Sequence, residues 1–310
     1  MKRLNVLIVW EIEEISNINI PKDSVLCIGN FDGVHPGHMS VIDTGRKIAQ
    51  DYGKEVSILS FLPHPRLIIN PKNFFILTDL REKIKLLSTK VDNIIIINFL
   101  KIMNMEPTDF CNFIENHFRP HSICTGFDFS FGKNAKGKPS DLKSYFEKLG
   151  KKVEIIEKVS LAGEKISSSL LRRIITSGNI SEYLEITGRP YQIRGIVTKG
   201  VGRGKTIGVP TANIITMYQL PPHGVYASFV KIEGAKEILP SVSNIGYQPT
   251  FNSFKETVET HIIDFDQNIY GQKITLMLIK KIRDVKKFAN EHELKKQIQE
   301  DIKEAKSILK

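Results

Sequence analysis

Short apolar runs separated by amphipathic stretches set the rhythm of the chain up to residue 187. Residues 25–29, 55–61, 93–99, 122–126 and 152–157 read as strands, and 38–52, 78–88, 107–117 and 140–149 as helices. The run Asn93-Ile94-Ile95-Ile96-Ile97-Asn98 has no polar alternation, the pattern of a parallel strand covered on both faces. Strand–helix alternation of this kind predicts an α/β doubly wound parallel sheet of Rossmann-like form, with ligands at the carboxyl ends of its strands. After Gly188-Arg189-Pro190 the rhythm changes. Residues 191–198, 224–232, 237–244, 257–265 and 273–282 are strand-like, with Gly, Pro and Asn between them, and only 285–309 looks helical. Closely spaced strands before one helix predict a small antiparallel β-barrel with a C-terminal helix. The expected domains are 1–187 and 188–310, with no internal repeat.

Composition changes this picture little. A chain of 310 residues with 41% hydrophobic and 25% charged positions is ordinary globular material, long enough for two domains. The formal charge is 44 − 34 = +10, compatible with nucleic acid, a membrane surface or small anionic substrates. The lysines are scattered over predicted helix surfaces rather than gathered with aromatics into one face, so no nucleic-acid partner is expected. Cys27, Cys111 and Cys124 are odd in number and include no C-x-x-C pair; this argues against disulfides or a zinc knuckle and fits a reducing cytoplasm. The apolar stretch from Leu4 to Trp10 runs straight into Glu11, Glu13 and Glu14 without a small-residue cleavage site, and no stretch reaches transmembrane length. No membrane partner is expected.

Candidate chemistry begins at Gly29-Asn30-Phe31-Asp32-Gly33-Val34-His35-Pro36-Gly37-His38, between a predicted strand and a predicted helix. Glycines at 33 and 37 permit close backbone approach to a bulky anion. The helix that follows aims free N–H groups and its positive dipole end at that anion. His35 and His38, one turn apart at its mouth, can donate to phosphate oxygens and stabilise charge growing on an α-phosphate as pyrophosphate leaves. His-x-x-His also occurs in zinc sites, which need a third ligand. Near the end of the domain, Ser167, Ser168 and Ser169 precede Arg172. Their hydroxyls can cap a helix or take phosphate, and the guanidinium can neutralise it.

In the second domain Gly200-Val201-Gly202-Arg203-Gly204-Lys205-Thr206 resembles a P-loop but fails its spacing, because residue 199 is Lys and Pro210 forbids the required helix. What remains is a basic glycine-rich loop, able to form an anion nest, ahead of Thr211 and Asn213. Those two offer oxygens to a magnesium ion carrying ATP, or simply form a barrel turn. Glu259, mid-strand in Thr257-Val258-Glu259-Thr260-His261, is either a surface carboxylate or a general base for an attacking hydroxyl.

These segments, with Phe61-Leu62-Pro63-His64-Pro65-Arg66, Leu77-Thr78 before Arg81-Glu82-Lys83, Gly126-Phe127-Asp128-Phe129-Ser130-Phe131-Gly132 and Asn244-Ile245-Gly246-Tyr247-Gln248-Pro249, resemble the prokaryotic bifunctional riboflavin kinase/FAD synthetase family from about 22 to 305. The resemblance implies a nucleotidyltransferase fold for the first domain and riboflavin kinase for the second. ATP, riboflavin, FMN and FAD are then substrates or products, with Mg²⁺ as the cofactor. It implies that His35, His38 and Arg172 serve FMN adenylylation and that Gly29, Asn30, Phe31, Gly37, Ser167 and Ser168 bind ATP. In the kinase, Gly204, Lys205 and Thr211 would bind ATP, Thr211 and Asn213 would hold the metal, and Glu259 would act as base on the ribityl hydroxyl. Asp128 and Arg283 would border flavin. Departures from the family pattern fall at Ser169, which keeps the hydroxyl, at Ser130, where loss of an arginine would weaken a phosphate contact and no role is assigned, and at Lys205, Val209 and Val285, which remove no reacting group. A monomeric or weakly homo-oligomeric cytoplasmic enzyme is expected.

Overall fold

The computed structural model describes residues 4–17, 20–200, 208–249 and 254–310, and its internal contacts divide the chain between Leu170 and Leu171. The first unit is built on strands β1 (Asn5–Val9), β2 (Val25–Ile28), β3 (Val56–Leu62), β4 (Asn93–Asn98), β5 (Ser122–Gly126) and β6 (Lys152–Ile156). They form one sheet in the order β1-β4-β3-β2-β5-β6, every neighbouring pair parallel. Helices α1 (Pro36–Tyr52), α2 (Pro65–Ile69), α3 (Leu80–Leu87), α4 (Phe99–Ile102), α5 (Pro107–Phe118) and α6 (Pro139–Glu147) make the connections.

Both faces of the sheet are covered, as its sequence requires. Leu26, Ile28, Ile95 and Ile97 pack with Phe110, Ile114 and Phe146 on one side. Their neighbours Val25, Cys27, Ile94 and Ile96 pack with Val41, Ile42, Ala49 and Leu87 on the other. Helix α1 approaches β2 closely at Gly45, where an added Cβ would lie 2.5 Å from Cys27 Sγ. The chain lays β3 and β4 to one side of β2 and then returns to place β5 on the other side. The carboxyl ends of β2 and β5 therefore flank the crevice where open α/β sheets bind ligands. Strand β1 was not among the predicted strands. It is a five-residue edge strand with one neighbour, β4, and its periodicity is too short to distinguish it from any apolar stretch.

A short hairpin, β7 (Ser160–Leu161) with β8 (Glu164–Lys165), leads into α7 (Ser168–Ser177). The second unit contains most of α7, α8 (Ile180–Thr187), and six strands. These are β9 (Tyr191–Thr198), β10 (Ala212–Ile215), β11 (Gly224–Ile232), β12 (Leu239–Pro249), β13 (Phe254–Ile262) and β14 (Lys273–Arg283). They close an antiparallel barrel in the order β10-β13-β12-β11-β14-β9, with β9 pairing back to β10. Strand β10 is the one the sequence pattern misses: four residues amid Gly, Pro and Asn, held by its two neighbours. Inside the barrel a chain of fully buried hydroxyls satisfies itself, Ser228 to Ser241 and Ser243 at 2.8 Å each and Ser243 to Thr260 at 2.9 Å. The terminal helix α9 (Glu291–Ile308) packs Ala305 against Val225, Ala227 and Val242 on the outside of the barrel. It starts six residues later than the predicted 285 because Asn290 caps it, accepting from Glu293 N–H at 3.0 Å.

Candidate active sites

Strand β2 ends at Ile28 and the turn that follows is unusual in its backbone. Phe31 (φ 48°) and Val34 (φ 33°) join Gly33 (φ 85°) in the left-handed region, which costs a non-glycine residue about 1–3 kcal/mol. Hydrogen bonds from outside the turn hold it there. The buried Asp32 carboxylate accepts from Leu77 N–H and Thr78 N–H, each at 3.0 Å, and Gly33 N–H donates to Thr78 Oγ1 at 3.0 Å. The Asn30 carbonyl accepts from Lys83 Nζ at 2.6 Å and from Ser60 Oγ at 3.1 Å. From α7, Ser168 Oγ donates to the Asp32 carbonyl at 2.7 Å.

Helix α1 begins at Pro36, two residues before the predicted start, so His35 is its N-cap and His38 lies in its first turn. Their rings stack with centroids 3.6 Å apart, and Phe31 meets His38 edge-on at 5.4 Å. His35 Nδ1 accepts from His38 N–H at 3.3 Å. Its neutral tautomer therefore carries the proton on Nε2, available as a donor. Gly37 leaves room for that ring, since a Cβ there would stand 3.1 Å from His35 Cε1. No group of three His, Cys, Asp or Glu able to hold a metal occurs among the described residues, so the histidine pair lacks the third ligand of a zinc site. Ser167 Oγ caps α7, accepting from Leu170 N–H at 3.2 Å. Gly29 packs against the Phe31 ring, and Arg172 is buried one turn beyond Ser168 on α7.

Beyond β5, Asp128 is exposed and paired with Lys165 at 2.6 Å, while Lys165 Nζ also lies 4.3 Å from the Phe127 ring centre. Between the two crevice loops is a cavity lined by Phe61, Pro65, Phe99, Phe110, Phe129 and Phe131, with Asn30 on its wall. Asn30 Oδ1 is buried there with no hydrogen-bond partner among the described residues, a cost a ligand donor would remove. An apolar slot with one convergent polar atom suits a flat heteroaromatic ring.

In the barrel, pairing register assembles a second candidate site. Asn213 on β10 lies opposite Glu259 on β13, which lies opposite Asn244 on β12. Thr198 on β9 extends the row past Asn213. These four are half-buried, whereas their chain neighbours Ala212, Ile214, Val258, Thr260 and Ile245 are buried. Alternation therefore puts the polar row on the outer face of the barrel. The same row continues from Asn244 to Val225 on β11 and Arg283 on β14. At one strand spacing per step, Glu259 and Arg283 stand about 14 Å apart along it. Arg283 is itself held by a bidentate pair with the buried Asp301 of α9, at 2.8 and 2.6 Å. The amide of Asn213 lies where a Cβ on Gly200 would fall. Thr211 and Ala212 open onto a cavity lined by Val197, Pro210, Thr260, Phe265 and Tyr270. Gly204 and Lys205 lie outside the described residues. Lys83 and Asn244 fall inside motifs that marked the family but were given no role there, and Thr198 and Ser60 were not singled out from the sequence. Strand pairing brings in Thr198 and Asn244, and packing against the turn brings in Ser60 and Lys83, neither of which local spacing announces.

Comparison with known proteins agrees with both halves. The family model described as FAD synthetase matches residues 17–170, and the one described as riboflavin kinase matches 187–309. Proteins named bifunctional riboflavin kinase/FMN adenylyltransferase are similar along nearly their whole length. That of Bacillus subtilis is 36% identical, covering 91% of each chain. That of Haemophilus influenzae is 36% identical over 91% of this chain and 93% of its own, and that of Escherichia coli K12 is 34% identical over 89% and 90%. A Streptococcus pneumoniae crystal structure titled as a macrolide-efflux protein superposes with a TM-score of 0.87 at 28% identity, covering 97% of this chain and 99% of that one. Among the described residues of this chain no helix is long and apolar enough to cross a membrane.

Proposed function

The chain belongs to the bifunctional riboflavin kinase/FMN adenylyltransferase family, and from that premise we propose which residues carry each reaction. The enzyme phosphorylates riboflavin to FMN with ATP, then adenylylates FMN to FAD with release of pyrophosphate.

In the adenylylating unit, an FMN phosphate oxygen attacks the α-phosphorus of ATP while the bond to pyrophosphate breaks. The nucleophile is already anionic, so the site needs charge stabilisation rather than a general base. His35 and His38 donate to the α-phosphate and the departing pyrophosphate; Gly29, Asn30, Phe31 and Gly37 shape the bed for ATP. Ser167, Ser168 and Arg172 complete the phosphate wall. The aromatic slot beside Asn30 takes the isoalloxazine ring, and Asp128 borders it. The observation that carries this reading is the stacked histidine pair at the mouth of α1, with the His35 proton directed to Nε2.

In the barrel, the Glu259 carboxylate takes the proton from the ribityl 5′-hydroxyl as its oxygen attacks the γ-phosphorus and ADP departs. Riboflavin lies along the row toward Arg283, and ATP enters by Thr211 with Gly204 and Lys205. The hard oxygen donors of Thr211 and Asn213 suit Mg²⁺, which would neutralise the phosphates; the Asn213 amide cradled against Gly200 supports that fit. The functional boundary in this reading is 187/188; the riboflavin kinase match beginning at 187 supports it, while the internal contacts divide the chain earlier, between Leu170 and Leu171. The three buried thiols, none in a disulfide, support a reducing cytoplasm. The enzyme acts on small molecules without a nucleic-acid or membrane partner, as a monomer or weak homo-oligomer. Product analysis of the His38→Ala and Glu259→Gln proteins tests the assignment. The first should lose FAD formation and keep FMN formation, and the second the reverse; loss of both activities in either variant refutes the division of roles.

A further inference from the structure

Helix α3 carries a lysine where a core residue would serve. Lys83 is 7% exposed, and its ammonium donates to the Asn30 carbonyl at 2.6 Å and to Ser60 Oγ at 3.4 Å. That carbonyl already accepts from Ser60 at 3.1 Å, so a neutral side chain at position 83 would leave no orphaned acceptor. Asp32, the charged group acting on Lys83, has its own donors in Leu77 and Thr78. A buried ammonium in such a place costs stability, and packing alone supplies no reason for it.

We infer that Lys83 is a positioning residue for FAD synthesis: its buried cation pins the Asn30 carbonyl inward and so holds the strained turn, and adds positive potential behind the backbone that receives phosphate. Two anions, FMN phosphate and ATP, must meet at that turn, and a fixed cation in a dry site acts on both. The inference rests on the assignment of the turn to adenylylation, which His38→Ala tests separately. Burial lowers the ammonium to about 8, opposed by the Asp32 charge. The charged groups around it are Asp32 on the turn, which acts on it, and Asp79, Arg81 and Glu82 on or beside its own helix, and from β3 it meets the Ser60 hydroxyl. Histidine and FMN phosphate ordinarily titrate below it, so the cation is set to lose its charge just above neutrality.

The test compares the full-length protein with Lys83→Met and Lys83→Arg, assaying FAD formation from FMN and ATP and FMN formation from riboflavin on the same preparations. Lys83→Met should lower kcat for FAD synthesis by about tenfold to 10²-fold, the cost of a displaced reacting geometry. The kinase should stay within about twofold, and the variant should remain folded. Lys83→Arg, which keeps its charge at every pH used, should restore most of the rate and move the alkaline fall in FAD synthesis upward from about pH 8. If Lys83→Arg does not fold, Lys83→Met decides, because its residual activity should lack that fall. Full FAD synthesis by Lys83→Met, a loss no larger than its unfolded fraction, or an alkaline limb unmoved by the substitution would each overturn the inference.

Discussion

Replacing Lys83 by Met should make the sheet domain more stable. Lysine's usual value of 10.5 falls to about 8 in the fold. The folded state therefore binds fewer protons than the unfolded state between those limits, and stability rises with pH through that window. Below about 8 the full penalty applies: (10.5 − 8) × 1.36, or about 3 kcal/mol. Met has no charge to desolvate and fits the same tube of space, so at pH 7 the variant should gain up to about 3 kcal/mol, reduced by the lost contact to Asn30. Linkage with the same two values leaves less than half of that penalty at pH 9.5. Trp10 is the single tryptophan of the chain and stands half-exposed at the end of β1. Urea unfolding followed by its fluorescence thus reports on this domain in the intact enzyme. An advantage that shrinks between pH 7 and 9.5 is the expected result. A variant less stable than the parent at pH 7, or a difference independent of pH, would refute the reasoning. A more stable protein that makes less FAD would identify Lys83 as a residue retained for function.

Other consequences follow from single contacts. His38→Ala should cut FAD synthesis by about 10²-fold or more and spare the kinase, read by product chromatography. Glu259→Gln should slow FMN formation by about 10²–10⁴-fold with little change in the KM for ATP, because it removes the proton acceptor and keeps the shape. Gly45→Ala would press a methyl against the buried Cys27 sulfur at 2.5 Å and should destabilise the sheet domain by about 1–3 kcal/mol; adding Cys27→Ala should recover part of the loss in a double-mutant cycle. Asp301→Ala breaks the bidentate pair to Arg283 and should loosen α9, read as faster amide exchange along that helix together with a raised KM for riboflavin.

The parallel sheet was legible because its strands state their environment. Ile94 to Ile97 are apolar at every position, and burial on both faces is the only condition that tolerates this. The turn was legible for a local reason as well, although Pro36, favoured at the first helical position, starts α1 two residues before the expected 38 and so makes His35 its cap. Asp128 shows the limit of such reading. Its motif marked the crevice loop, yet its ion pair with Lys165 joins residues 37 apart in the chain, and no local rule announces it.

What the sequence determined by itself is therefore what contiguous residues fix: a turn between strand and helix with two histidines at the helix mouth, and the change from an α/β to a β rhythm. The tertiary structure alone decided which distant groups serve those residues. Strand register set Glu259 beside Asn213 and Asn244, barrel closure called β10 out of a segment with little strand character, and helix packing brought the Lys83 ammonium under Asn30. The physical reason is common to all three. A turn or a cap is fixed by dihedral preferences within a few residues, whereas register and burial are settled by the summed packing of elements far apart in the chain.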